Sequence, residues 1–266
     1  MDTLAPAAVT ARLPVAVPAE PPLFSVPARH NPRLQALVDR LNADEELRQL
    51  WRCAHLNAAE RLGQGDCGEV HVRIVANAAL KLLRLLRDAG QPPAIVTQHR
   101  LPAGEAEVVV VLAAALHALG LAVQAEPYSA AGLALATVKG RELLAELYGV
   151  RERTTVLAET LHAVAALDPS ARCLTLEAGL LRLADALDLT TGRARGLADG
   201  PQVAEVTIQK FAAPPVRVVI NLTQPDGAPA LADLLAARLR GCRLEALVAV
   251  QAHVSGVGLP LWPPAR

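Results

Sequence analysis

Polar groups able to hold a proton or a metal recur inside the most apolar stretches of this chain. Asp185 lies within Leu180-Leu181-Arg182-Leu183-Ala184-Asp185-Ala186-Leu187, a helix apolar nearly all round and therefore a buried one. A buried carboxylate is costly unless a cation, a metal or several donors satisfy it. Asp188 follows one turn later, near the same face. His71 falls on the core-facing stripe of its helix, His117 ends the most hydrophobic helix of the chain, and His162 sits inside Leu161-His162-Ala163-Val164. One such histidine reads best as a satisfied core residue. Three of them on separate helices, with a buried aspartate, form a candidate metal site, because His nitrogen and Asp oxygen converge on hard or borderline divalent ions. Gly63-Gln64-Gly65-Asp66-Cys67-Gly68 spells GxGxxG. That motif cradles a pyrophosphate only between a strand and a helix, and here the preceding Asn57 to Leu62 reads as helix.

These side chains must be positioned by helices. Leu34, Leu37, Val38 and Leu41 recur at helical spacing from near Asn31, and Asn42 followed by Glu45 looks like a capping arrangement for a second helix bearing Leu47, Leu50, Trp51 and Ala54. A polar break at Gly63–Gly68 precedes a long helix over about Glu69–Asp88, stopped by Gly90, Pro92 and Pro93. Further helices are predicted over about Ala106–Leu119, Ala130–Tyr148, Glu152–Ala166 and Leu176–Leu189. Beyond Gly200 the period changes: Val203–Phe211, Val216–Leu222 and Leu247–Val254 read as strands, with a helix over Leu231–Arg240. The expected organisation is a disordered Pro/Ala-rich tail over 1–32, a helical domain over 33–200, a ββαβ subdomain over 201–254 and a tail over 255–266.

Composition narrows the function classes. Of 266 residues 52% are hydrophobic but only 2% aromatic, so the core must be built from Leu, Val and Ala, and the fold is expected to be mainly α. The 26 basic and 26 acidic residues balance, which supplies no electrostatic reason for general nucleic-acid binding or for an anionic membrane surface. The first 32 residues hold seven prolines and no unbroken apolar run, unlike an export signal. Val108–Val123 is shorter than a usual membrane span and reads as a buried core helix. Cys53, Cys67, Cys173 and Cys242 form no CxxC pair and read as reduced thiols in a cytoplasmic protein.

The order of these residues, with their surroundings, resembles the HD superfamily of metal-dependent phosphohydrolases, in the branch with a small C-terminal α/β extension. The matching text is Arg61-Leu62-Gly63, Gly68-Glu69-Val70-His71-Val72-Arg73-Ile74-Val75-Ala76-Asn77, Glu107 through Leu116-His117, Glu159-Thr160-Leu161-His162-Ala163, and Leu174-Thr175-Leu176-Glu177-Ala178-Gly179 through Asp185-Ala186-Leu187-Asp188. It continues through Thr191-Gly192-Arg193-Ala194-Arg195 and Arg238-Leu239-Arg240-Gly241. The likeness covers roughly residues 40 to 252 and is specific as a set. It implies an HD-type helical bundle with His71, His117 and Asp185 as metal ligands, His162 as a further ligand of two-metal members, and Asp185 and His117 as the catalytic pair. Arg193 and Arg195 would meet a phosphate. The implied cofactor is one divalent ion at most (Mn, Fe, Zn, Ni or Mg), or none. The family's paired aspartate is Ala118 here, Cys67 and Leu167 stand where histidines are usual, and Gln124-Ala125-Glu126-Pro127-Tyr128 lacks the residues of a second site.

Three readings stay open. In the first the metal site is depleted, phosphoester hydrolysis is weak or absent, Asp185 is satisfied by a neighbouring His⁺ or Arg, and the chain binds a small phosphorylated ligand or nucleotide in a regulatory role. In the second one ion supports hydrolysis of a nucleotide or other phosphoester. In the third the chain is a structural protein acting as a homo-oligomer.

Overall fold

A computed structural model describes residues 24–127, 129–189, 203–242, 244–254 and 256–263. Arg193, Arg195 and the first 23 residues lie outside the described residues. The chain is mainly helical, with a small C-terminal four-stranded mixed sheet.

Helix α1 (Pro32–Ala43) starts where its capping chemistry demands: the Asn31 side chain accepts the Leu34 N–H, and Pro32 occupies the first turn, where a missing N–H costs nothing. Its buried face is Leu34, Leu37, Val38 and Leu41, as expected. Helix α2 (Glu45–His55) is capped by Asp44, whose carboxylate accepts the Leu47 N–H at 2.8 Å. The expected cap, Asn42, instead bonds both the N–H and the carbonyl of Phe24. This bond corrects the limit of the tail. Phe24 is buried and stacks on Trp51 with ring centroids 5.8 Å apart, so the packed chain begins well before residue 32. In a chain with so few aromatics this pair supplies a large share of the bulky core surface.

A π-helical turn (Leu56–Arg61) extends α2, and the Gly63–Gly68 segment follows it as a loop. No strand precedes that loop, so its glycines have no dinucleotide-binding geometry; Asp66 turns inward to accept the Gly68 N–H and to bond His55. Helix α3 (Glu69–Asp88) comes next, then α4 (Ala94–His99). The short α4 was not expected: Pro92 and Pro93 read only as a stop, yet Pro93 caps a new helix. The two Glu177 carboxylate oxygens accept the otherwise unpaired Ala94 and Ile95 N–H groups.

Helix α5 (Gly104–Leu116) is the axis of the bundle. Every residue from Glu105 to Leu116 is buried. The segment Gly104–Ala122 has the length and hydropathy of a membrane span, and 94% of its window is buried inside the fold. Around α5 pack α1, α3, α4, α6 (Ala130–Leu144), α7 (Val150–Ala165) and α8 (Leu176–Ala186). Past α5 a 3₁₀ turn (Leu119–Ala122) is pressed against the following loop; a Cβ on Gly120 would stand 2.2 Å from the Pro127 carbonyl oxygen, so only glycine fits there.

The C-terminal unit is ββαββ. Strands β1 (Val203–Lys210) and β2 (Val216–Leu222) form an antiparallel pair, helix α9 (Gly227–Arg238) crosses over, and β3 (Val248–Val254) runs parallel to β2. The segment expected as a tail from 255 contains a fourth strand, β4 (Val257–Trp262), antiparallel to β3, with Trp262 buried. The sheet meets the bundle through β1 and β2 on α3, and α9 rests against α8.

Candidate metal centre

Three helices deliver the candidate residues to one point. His71 is in the first turn of α3, His117 caps the C-terminus of α5, Asp185 is in the last turn of α8, and Asp188 follows α8 directly. Their relative exposures are 0%, 2%, 1% and 3%. The donor atoms of His71, His117 and Asp185 all lie within 4.8 Å of one another. Three residues as far apart in sequence as 71, 117 and 185 therefore meet inside the bundle.

Hydrogen bonds fix the tautomers. His71 Nδ1 lies 2.5 Å from the Asp188 carboxylate and His117 Nδ1 lies 2.7 Å from the Ala114 carbonyl. Both acceptors lack a hydrogen, so each Nδ1 must carry one and donate it. The two Nε2 atoms then face each other at 2.8 Å, with ring centroids 4.9 Å apart in an edge arrangement. Both are 3.5 Å from the same oxygen, Asp185 Oδ1. Two bare lone pairs at hydrogen-bond spacing repel, so one positive body belongs between them, a shared proton or an ion. Burial and the neighbouring His71 imidazole hold the His117 pKa below its ordinary value, against the opposing pull of Asp185. A second proton on the pair is thus resisted.

The other Asp185 oxygen is already engaged. Arg238, the last residue of α9, places Nη1 2.8 Å from Asp185 Oδ2. The appended unit therefore inserts a guanidinium into the carboxylate side of the centre, charge against charge. Among the described residues, two carboxylates and one guanidinium surround the imidazole pair, so one shared proton brings the local sum to zero and a dication leaves an excess of one.

His162 does not join this group. Its Nε2 accepts the Leu174 N–H at 3.1 Å and ties down the loop between α7 and α8. Ala118 and Leu167 are buried in the main core, and Cys67 in a small cluster with Ala54, Ala58 and Leu121. Three residues escaped sequence reasoning. Asp188 was placed on the correct face without its role as the His71 partner. Arg238 stands in a stretch that matches the family but has no role assigned by sequence, since a basic residue ending a helix ordinarily faces solvent and the helix dipole. Arg182 did carry a signal, being a charge inside the same apolar run as Asp185. It is fully buried and donates to the carbonyls of Ala166, Asp168, Ala171 and Arg240.

Over 228 residues the chain is 25% identical to a protein of Methanocaldococcus jannaschii, "Uncharacterized protein MJ1020", a match taking in 82% of this chain and 88% of that one. No family model matches the chain and no solved structure matches it.

Proposed function

We propose that this chain is an HD-type phosphohydrolase relative whose metal centre is reduced to His71, His117 and Asp185 and closed by Arg238, leaving weak or no phosphoester hydrolysis and a ligand-responsive, regulatory role. The observation that carries this reading is the Arg238–Asp185 pair at 2.8 Å. The carboxylate that a hydrolase would commit to an ion is neutralised here by the protein itself. Burial supports the same reading, since a phosphoester needs an open face on the ion and the three ligands expose almost nothing. The ligand class is a small phosphorylated molecule or nucleotide, with Arg193 and Arg195 as its cationic partners.

The donor set fits one ion. Two imidazole nitrogens with lone pairs turned inward, one carboxylate oxygen, and the outer carboxylate of Asp188 behind His71 form the usual ligand set with its outer-shell support. When bound, such an ion would polarise a phosphoryl oxygen or acidify a water. Among the described residues a second ion lacks donors: the Ala118 methyl offers none where a bridging carboxylate would stand. Asp188 holds the His71 tautomer, the Ala114 carbonyl holds that of His117, and the apolar walls of α5 and α8 exclude water.

The second reading, an active one-ion phosphohydrolase, is favoured by that tautomer control, which turns both Nε2 atoms onto Asp185 Oδ1. Element analysis of chelator-free protein, hydrolysis of nitrophenyl phosphoesters and nucleotides with Mn, Fe, Zn, Ni or Mg, and nucleotide-binding calorimetry separate the two. Substoichiometric metal, a rate equal to that of Asp185→Asn, and saturable nucleotide binding are expected. One ion per chain with turnover abolished by Asp185→Asn would replace the first reading with the second.

A further inference from the structure

Cys173 and Cys242 are 69 residues apart in sequence, yet their Sγ atoms lie 3.3 Å from each other. Cys173 belongs to the loop joining α7 to α8, on the helical body. Cys242 belongs to the loop after α9, in the C-terminal unit, four residues beyond Arg238. Both cysteines are buried, but each borders open chain: Arg172 and Leu174 are exposed beside Cys173, and Gly241, at φ +75°, is exposed beside Cys242. A small loop displacement therefore brings either sulfur to solvent. The Arg182 guanidinium lies beneath both loops, bonded to the Ala171 carbonyl on one side and the Arg240 carbonyl on the other.

We propose that Cys173 and Cys242 form a reversible disulfide latch that fastens the C-terminal unit to the helical body and so pins Arg238 on Asp185. The oxidant is a small hydroperoxide. The Cys173 thiolate attacks the outer peroxide oxygen, the O–O bond breaks, and a sulfenic acid forms while the departing oxygen leaves as water or alcohol after taking a proton. The Cys242 sulfur, its proton lost to solvent, then displaces the sulfenic oxygen as water and the S–S bond closes. Two thiols and one hydroperoxide give one disulfide, one water from the sulfenic oxygen, and one further water or alcohol from the peroxide. A dithiol reductant reverses the bridge by exchange. Cys173 suits the attacking role: the hydrogen bond from Cys242, with Arg182 nearby, holds its pKa down to about 7, whereas Cys242 is pushed up.

The latch is independent of whether the centre holds an ion. A bridge between body and unit removes chain entropy from the unfolded state across a long loop, so the oxidised form should melt about 5–10 °C higher. The test treats the full chain with hydrogen peroxide, maps disulfides by mass spectrometry after alkylation, and follows amide hydrogen exchange in α9. The expected result is a Cys173–Cys242 cross-link, loss of two hydrogens from the intact mass, slower exchange over Leu231–Gly241, and reversal of all three by dithiothreitol. The Cys173→Ser/Cys242→Ser protein, with Cys53 intact, should show none of these. Oxidation confined to the exposed Cys53, with Cys173 and Cys242 still open to alkylation, would overturn the proposal. So would a cross-link that leaves α9 exchange unchanged.

Discussion

Replacing Arg238 by methionine keeps the aliphatic stem and removes the charge that faces Asp185. Two effects follow. The first is on stability. Stripping the partner from a buried carboxylate costs about 3–5 kcal/mol where both groups are fully enclosed. The Arg238 side chain is 29% exposed, and that screening lowers the expected loss to about 2 kcal/mol. The second effect is on metal affinity. An ion against Asp185 Oδ1 would stand about 5 Å from the guanidinium, where charges of two and one repel by about 7 kcal/mol at an effective dielectric constant near 20, and by about 2 kcal/mol if fully screened. Arg238→Met should therefore tighten divalent-metal binding at least about tenfold, even at the screened limit. Thermal melting of wild type and variant across a Mn²⁺ or Zn²⁺ titration reads both effects. The variant should melt lower without metal and recover as metal is added, because an ion at a hundred times its dissociation constant restores about 2.7 kcal/mol. A variant no more responsive to metal than wild type would refute the claim that the arginine occupies the charge role of an ion.

Other outcomes follow from the same geometry. Asp188→Asn weakens the grip on the His71 Nδ1 hydrogen and should lower metal affinity about 10–100-fold in a competition titration, with the helical circular-dichroism signal intact. Ala118→Asp buries a new carboxylate beside His117; it should lower the melting temperature without metal and regain it with a divalent ion, and failure to regain it would show that Cys67 and Leu167 matter as much. The depressed His117 pKa makes a pH prediction. Between that value and about 6.5 unfolded His117 takes up a proton that native His117 resists, so the contribution of this group is present above pH 6.5 and is lost on acidification, by up to about 1.4 kcal/mol per pH unit. Melting curves from pH 7.5 to 5 should show that slope, and His117→Gln should flatten it.

Much of the helical body is legible in the chain because its apolar positions repeat every three to four residues. Leu34, Leu37, Val38 and Leu41 announce α1, and the unbroken run ending at His117 announces a fully buried axis. The convergence of His71, His117 and Asp185 was legible for a related reason: polar groups inside apolar helices must find one another or pay for burial. What failed depends on contacts distant in sequence. Asn42 looks like a cap until Phe24 arrives to claim it. Helix α4 is hidden because its N–H groups are satisfied by Glu177, more than eighty residues away. Strand β4 carries Gly258 and Pro260, which weaken any strand pattern, and its pairing with β3 exists only once the sheet does. Arg238 is the extreme instance, since its partner belongs to another structural unit.

The near-complete enclosure of the imidazole pair has a kinetic side. Of the described residues bonded into the group, Arg238 is the one whose side chain reaches solvent, so the route that the described residues offer an entering ion runs where α9 leans on α8. Traffic then follows the rate at which that helix lifts, not the rate of diffusion. If the lifted form makes up about one molecule in a thousand, entry and exit both slow about a thousandfold while the equilibrium affinity is unchanged. An ion trapped as the chain first folds would leave just as slowly, so the content of a purified sample would preserve a record of the conditions under which it was made.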